Sequence, residues 1–460
     1  MSKITLKQAA DWCGGTVEEQ YEQIEFLGAN NDTRSLRPGQ LFLALQGARD
    51  GHDFIPDAME KGAAAVLCTH KVGDYPAIVV PDVRLALGAI ARGERQRLGM
   101  KVVGVTGSVG KSTTKEMIAA VLEKTYRTAK TPVNHNNAIG MPMAILAMPE
   151  DTQVAVLEMG MNHFREMAYL SEIGRPDLAV IVNIGTAHIE FLGSQKGIRQ
   201  AKMEILEGMS DDGVVLLNGD DSMLRDLDRE PKQRTVYFGS DERCAVRCKE
   251  IVNAADGLRF RVQWSGGSFS VIMNLEGKHF VSDAMAAVAV GLELGVRPEE
   301  IQKGLRTFRN LSGRQETLRA YGYTLIKDCY NAGPESMEAA LMVLGEKPGR
   351  KIAVLGDMLE LGDRAAAEHY RIGRIAAERV DFVLAYGDCA ERVIGGCITG
   401  GMKDSRALAF SDQTAMSCEL QRIAKPGDVI LFKGSHGMHM ERVLDAFMKY
   451  EKDLNGGDPK

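Results

Sequence analysis

Lys101-Val-Val-Gly-Val-Thr-Gly107-Ser108-Val109-Gly110-Lys111-Ser112-Thr113-Thr114 is the stretch that decides the fold. Its first half is a short β-branched apolar run, which predicts a strand. Lys115-Glu-Met-Ile-Ala-Ala-Val-Leu122 predicts a helix opening directly behind the loop. Glycines in such a loop let backbone N–H groups face an anion without Cβ clashes, and the helix amino end adds roughly half a positive charge. Gly107, Ser108, Val109, Gly110 and Thr113 are therefore expected to cradle phosphates. Lys111 neutralises the outer ones, and the Ser112 hydroxyl is offered to Mg²⁺. The strict G-x-x-x-x-G-K-[ST] pattern needs glycine where this chain has Val105, so Gly107 supplies the turn. A glycine-rich turn with an exposed lysine is the bland alternative. It does not account for strand, loop, lysine, paired hydroxyls and helix occurring together. A nucleoside triphosphate is the expected ligand.

Working outward, the same strand-then-glycine unit recurs at Val154–Gly160, Leu178–Gly185, Gly213–Gly219, Lys351–Asp357, Val380–Gly387 and Asp428–Gly434. Strands apolar on both faces belong to parallel sheets covered by helices, and ligands bind beyond their carboxyl ends. Leu258–Trp264 instead alternates with period two, Ser265-Gly-Gly-Ser268 turns the chain, and Phe269–Leu275 returns. That is a hairpin signal and predicts an antiparallel edge. Shorter strands at Leu41–Leu45, Ala64–Leu67 and Ile78–Val80 mark a small α/β unit near the amino terminus. Residues 278–312 read as helical, and Leu311-Ser-Gly-Arg314 reads as a hinge. The expected architecture is α/β in three domains: 1–98, a small amino-terminal unit; 99–312, a central phosphate-loop domain with a parallel sheet and an antiparallel edge; and 313–460, a Rossmann-like domain. The tail Asn455-Gly-Gly-Asp-Pro-Lys460 reads as frayed.

Composition narrows the function. The chain has 460 residues, enough for about three domains. Lys+Arg 56 against Asp+Glu 62 gives a net charge of −6, which argues against a nucleic-acid binder working through a broad basic face. No apolar stretch is long enough to span a membrane, and the amino terminus lacks a signal-peptide block, so a cytoplasmic protein is expected. Eight cysteines include no C-x-x-C pair and no neighbouring Cys/His pair, so reduced, mostly buried thiols are expected rather than a disulfide frame or a zinc site.

A phosphate loop does not by itself choose between kinase, GTPase, ATPase and ligase. No G-x-G-x-x-G and no N-K-x-D motif is present. Glu158 and His188 follow the second and third runs, so a carboxylate and an imidazole at strand tips can both face bound phosphates. The carboxylate suits Mg²⁺, whereas histidine is an uncommon ligand for it and commonly serves as a helix cap or surface residue. From spacing alone Lys202, in a helical segment after Gly197, reads as a solvated lysine.

The motifs taken together resemble the Mur ligase family. They are Gly107-Ser-Val-Gly-Lys-Ser-Thr113, Asn134-His-Asn-Asn137-x-x-Gly140, Glu158-Met-Gly, Asn183-Ile-Gly-x-Ala-His188, Ala201-Lys-x-Glu204, Ser312-Gly-Arg314, Asp328-x-Tyr-Asn331-Ala, and Gly356-Asp-Met-x-Glu-Leu-Gly362 with His369. Asp32-Thr-Arg-Ser35, Gly39-x-Leu-Phe-x-Ala-Leu-x-Gly47 and Asp50-Gly-His52-x-Phe54 are similar to the branch that joins D-alanyl-D-alanine to UDP-N-acetylmuramoyl-tripeptide (UDP-MurNAc-tripeptide).

That resemblance implies an ATP-dependent ligase of peptidoglycan precursor synthesis, acting through an acyl phosphate and releasing ADP and phosphate. It implies catalytic roles for Lys111, Lys202, His188 and Asn137, with Lys202 N-carboxylated. Two Mg²⁺ ions would be placed by Ser112, Glu158 and His188. Arg314 would reach the phosphates and Asp328 the ribose. Thr33, Arg34, Asp50 and His52 would hold the uridine diphosphate, and Asn134, Tyr330 and Asn331 would line the peptide end. The partners are small-molecule substrates with no nucleic acid and no membrane span, and a monomer is expected. The chain departs from the family pattern at four places. His279-Phe-Val-Ser-Asp283 replaces H-N-x-x-N near the adenine, Gly333 replaces the asparagine of A-N-P, His436 replaces the arginine of K-G-S-R, and Arg165 replaces a small residue. A sister ligase adding a single amino acid and a non-catalytic nucleotide-binding scaffold are the alternatives. No D-N-P-R motif supports the first, and retention of Glu158, His188 and Lys202 argues against the second.

Overall fold

The computed structural model describes residues 3–254 and 257–456. All seven apolar runs are strands, and they divide between two sheets. Lys101–Thr106, Val154–Glu158, Leu178–Ile181 and Val214–Asn218 lie in a nine-stranded sheet, while Lys351–Gly356, Phe382–Tyr386 and Val429–Lys433 lie in a six-stranded one. Within each sheet these runs pair in parallel. Burial on both faces explains their composition. Val102 faces one apolar core, and Val103 and Val105 face another. Each such side chain contributes roughly 1.5–3 kcal/mol by leaving water.

The expected hairpin is present, with Gly257–Trp264 antiparallel to Gly267–Met273 at the edge of the central sheet. Its turn is tighter than the sequence indicated. Trp264 pairs with Gly267, which leaves only Ser265 and Gly266 between the strands. The helix expected over 278–312 is two helices, Phe280–Glu293 and Pro298–Thr307. The break falls where Gly295 takes a left-handed φ of 75° and Pro298 opens the second helix. At the carboxyl end, the expected fraying begins later. Asn455 still closes the helix Glu441–Asn455, Gly456 caps it, and 457–460 lie outside the described residues.

A four-stranded parallel sheet near the amino terminus contains Leu41–Leu43, Ala65–Cys68 and Ala77–Val79. This unit does not stand apart from the central sheet. Ile4, Leu6, Phe26 and Leu41 share one continuous apolar core with Ile181, Ile198 and Ile205. The helix Val83–Leu98 packs on Gly140–Leu146 and Glu166–Gly174. The carboxyl-terminal sheet has cores of its own, with no residue before Leu318 in either. It meets the rest through the polar pairs described below. Interfaces of that kind let one body move against another. Five of the eight cysteines are buried and all eight are free thiols. Among the described residues no helix is long and apolar enough to cross a membrane.

Candidate active site

The phosphate loop sits between the strand Lys101–Thr106 and the helix Lys111–Leu122, with Gly110 in the left-handed region at φ 86°. Asn183, from the tip of the neighbouring strand, clamps it. The Asn183 Oδ1 accepts the N–H groups of Ser108 (3.0 Å) and Val109 (2.9 Å), and its Nδ2 donates to the Val109 carbonyl. The Gly185 N–H donates to the Ser108 hydroxyl at 2.9 Å. Lys111 Nζ donates to the carbonyls of Gly107 (2.7 Å) and Ser108 (3.3 Å). Burial holds the Lys111 ammonium below its usual range, against the pull of Glu158.

Lys202, which spacing alone placed in solvent, is 1% exposed. Its Nζ donates to the Gly107 carbonyl at 3.0 Å, directly behind the loop. Burial, and after it the charge of Lys111, pushes its pKa well below that of a free lysine. Both effects favour the neutral amine more than in a solvated lysine.

Glu158 is 2% exposed. Its Oε1 accepts from Asn136 Nδ2 at 3.0 Å, and its Oε2 is a buried oxygen with no hydrogen-bond partner among the described residues. Burial would raise this carboxyl, but Lys115, Ser112, Lys111 and Asn136 together hold it below the usual range. A buried, ionised carboxylate with an open oxygen fits a hard divalent cation, and the Ser112 hydroxyl beside it adds a second oxygen ligand. His188, at φ 63°, has its Nδ1 2.8 Å from Glu360 Oε2 of the carboxyl-terminal domain.

That domain also brings Arg314, Tyr330, Asp328 with Lys433, and Glu335 to the site. Arg314 Nη2 donates to Ser112 Oγ at 2.9 Å, and the guanidinium lies 3.9 Å over the Tyr330 ring. The Tyr330 hydroxyl meets Asn134 Oδ1 across the domain boundary. Asp328 pairs with Lys433 at 2.8 Å, and Lys433 also donates to the Asn331 carbonyl at 2.9 Å. Glu335 accepts both the N–H (2.9 Å) and the hydroxyl (3.0 Å) of Thr186.

One cavity of about 1340 Å³ gathers most of the residues expected from sequence: the phosphate loop, Asn134, Asn137, Glu158, His188, Arg314, Asp328, Tyr330 and Asn331. Lys202 stands just behind its wall. From the amino-terminal unit the cavity takes Arg84 and Leu85, whereas Thr33, Arg34, Asp50 and His52 are not among its lining residues. His52 is turned inward: its Nδ1 lies 2.6 Å from Asp50 Oδ1, and its Nε2 accepts the Thr69 N–H at 3.1 Å. Arg34 is exposed and forked on Asp32. Asn137 Oδ1 accepts the N–H groups of Ile139 and Gly140 and so starts the helix Gly140–Leu146. It is the neighbouring Asn136 that meets Glu158. Sequence reading passed over Asn136, Asn183, Glu335 and Glu360. Asn136, Asn183 and Glu360 stand inside motifs already singled out, and Glu335 is recognisable only once the domains meet.

Near the expected adenine position, Asp283 is buried and accepts from the Thr114 hydroxyl at 2.7 Å. Burial pushes its carboxyl up to about 7, against that hydrogen bond and the charge of Arg314. An unfolded carboxyl titrates near 4, so the folded chain holds an extra proton between about pH 4 and 7 and loses stability as pH rises through that window. Asp283→Asn is therefore expected to raise stability relative to the parent. The gain should grow from about pH 4 to 7 and level above it at ~1–3 kcal/mol. Thermal unfolding from pH 5 to 8 checks this, and a difference independent of pH would contradict it.

A fold built on a phosphate loop, with a strand-tip carboxylate and a second domain closing over it, defines a nucleotide-dependent ligase architecture. Three family models match along the chain: the Mur ligase middle domain over 105–291, the Mur ligase glutamate ligase domain over 313–436, and the Mur ligase family catalytic domain over 23–95. The chain belongs to the Mur ligase family. It is 40% identical over 454 residues to the UDP-N-acetylmuramoyl-tripeptide–D-alanyl-D-alanine ligase of Bacillus subtilis, covering 96% of this chain and 98% of that protein. It is 35% identical to the ligase of the same name from Escherichia coli, covering 98% and 99%. Among solved structures, MurF from Acinetobacter baumannii superposes with a TM-score of 0.90 at 33% identity over 98% of this chain and 99% of that one. MurF from Thermotoga maritima, in complex with ADP, gives 0.83 at 30% identity over 93% and 98%.

Proposed function

We propose that this chain joins D-alanyl-D-alanine to a UDP-N-acetylmuramoyl-tripeptide with cleavage of ATP to ADP and phosphate. The observation that carries the reading is the single cavity in which the phosphate loop, the open Glu158 oxygen and the interdomain Arg314 converge. A carboxylate oxygen of the muramoyl peptide attacks the γ-phosphorus, the bond to the bridging β–γ oxygen breaks, and ADP leaves. The neutral amine of the dipeptide then attacks the acyl carbon, the C–O bond breaks to release phosphate, and the proton lost from the nitrogen leaves with that phosphate. The first step brings two anions together, at a cost of roughly 4 kcal/mol per charge pair at 4 Å and an effective dielectric near 20.

This chain's residues lower that cost. Backbone N–H groups at the helix amino end, Gly110 to Thr113, hold the phosphates, because those of Ser108 and Val109 are taken by Asn183, and Lys111 and Arg314 bring positive charge from opposite domains. Ser112, Glu158 and His188 are the residues that would hold Mg²⁺, which supplies charge neutralisation and in-line alignment when bound. For His188 the ligand atom would be Nε2, with Glu360 supporting the ring from behind through Nδ1. Lys202, as a neutral amine, can take up CO₂: its lone pair forms the N–C bond, a proton leaves, and the resulting carbamate is an oxygen-donor anion beside Lys111. Asp328 is assigned to the ribose and Asn134, Asn137, Tyr330 and Asn331 to the peptide end. Thr33, Arg34 and Asp50 are assigned to the uridine diphosphate, with His52 ordering the Asp50 loop. Domains 1–98, 99–312 and 313–460 act as substrate holder, ATP site and closing body. The working state is a cytoplasmic monomer.

Coupled ADP release tests the reading, with UDP-muramoyl tripeptides carrying diaminopimelate or lysine at the third position. Turnover with at least one tripeptide is expected to require D-alanyl-D-alanine. Turnover driven instead by a single amino acid would assign the chain to a sister branch.

A further inference from the structure

Lys115 has no part in the chemistry above, yet it is a lysine with 0% exposure. It stands one helical turn beyond Lys111, on the far side of the phosphate-loop helix from solvent. It does not line the cavity and cannot touch a phosphate there. Its Nζ donates to the Thr131 carbonyl at 2.7 Å, lies 3.2 Å from Glu116 Oε1 and 3.6 Å from Glu158 Oε2. Thr131 closes the arrangement, because its hydroxyl accepts the Glu158 N–H at 3.0 Å. Three elements thus converge behind one carboxylate: the phosphate-loop helix, the segment after the strand Thr128–Lys130, and the tip of the strand Val154–Glu158.

A lysine costs a great deal to bury unless its charge is matched, and an apolar side chain of the same length would fill this space at lower cost. Glu116 already has a second cation in Lys130, through a 2.5 Å contact. Among the described residues Glu158 has only Lys115 within ion-pair distance. Asn136 holds Oε1 and Lys115 stands 3.6 Å from Oε2, so each carboxylate oxygen has a neighbour that limits rotation of the group.

We propose that Lys115 is a positioning residue: a buried counter-cation that fixes the Glu158 carboxylate toward the cavity so that it can take a divalent metal ion. The proposal rests on the reading of Glu158 as a metal ligand, and partners behind a ligand commonly change metal affinity by about 10- to 100-fold.

Mn²⁺ serves as the probe, its dissociation constant measured by electron paramagnetic resonance on the full chain with ADP. The parent is compared with Lys115→Met, Glu158→Gln and the double variant, and ADP affinity is measured separately in chelator. Lys115→Met is expected to weaken Mn²⁺ binding about 10- to 100-fold while leaving metal-free ADP affinity within about twofold. It should also lower the urea midpoint, and the double variant should recover most of that loss because no unpaired charge is left behind. Unchanged Mn²⁺ affinity in Glu158→Gln overturns the metal reading and this proposal with it. Loss there with unchanged affinity in Lys115→Met overturns this proposal alone. If Lys115→Met does not fold, a folded double variant supports the pairing. Failure of both to fold overturns it, since the core would then need Lys115 irrespective of the carboxylate.

Discussion

Lys202→Ala is expected to lower kcat by about 10²–10³-fold without unfolding the chain. The side chain is buried, and among the described residues its ammonium has no carboxylate within ion-pair distance. It donates to the Gly107 carbonyl at 3.0 Å, and Lys111 opposes its charge. A lysine whose pKa is lowered by burial is more readily a nucleophile toward CO₂, and the carbamate formed reverses the sign of the group. Truncation removes that anion from the back of the phosphate loop. Short carboxylates such as acetate fit the space vacated and are expected to restore part of the activity. Carbon-13 spectra of the parent enzyme equilibrated with labelled bicarbonate should show a carbamate resonance that Lys202→Ala lacks. Unchanged turnover in the variant would contradict the assignment.

Arg314→Ala carries the second large effect, a loss of about 10²–10³-fold in kcat/KM with KM for ATP raised. Arg314 reaches Ser112 across the domain boundary, and its buried Nε has no hydrogen-bond partner among the described residues. A planar guanidinium stacked 3.9 Å over Tyr330 is held at a fixed angle. Lysine at this position can neither stack in that way nor fork, so Arg314→Lys should recover little. The carboxyl-terminal cores lie elsewhere, and thermal stability should be nearly unchanged. Steady-state kinetics on both variants decide it, and full activity in Arg314→Lys would show that charge alone suffices.

The parallel strands were legible because burial on both faces writes itself into the sequence as unbroken apolar runs. The strands that escaped include the edge strands Thr128–Lys130 and Ala407–Phe410 and the interior strands Arg234–Gly239, Val246–Ala254 and Tyr323–Asp328, whose apolar residues are interrupted by polar ones. Thr128–Lys130 is short and half polar, and Val246–Ala254 carries a register shift between Lys249 and Val252. At the site, strand-tip position made Glu158 and His188 candidates before any contact was known, and the loop motif did the same for Lys111 and Ser112. Lys202 was misjudged by spacing, because helical periodicity does not reveal that a neighbouring loop covers the amine. Glu335 on Thr186 and Glu360 on His188 join residues about 150 to 170 positions apart, and no local pattern encodes such pairs. Lys115 shares a helix face with Lys111 at i+4, which marks its direction but not its partner.

The account's central claim is that a peptide carboxylate attacks ATP within this cavity. Transfer of oxygen-18 tests it most directly, using UDP-muramoyl tripeptide labelled in the terminal carboxylate that accepts D-alanyl-D-alanine. The account predicts that each phosphate released carries one labelled oxygen, while the other label stays in the new amide. Phosphate free of label, formed together with the joined product, would contradict it.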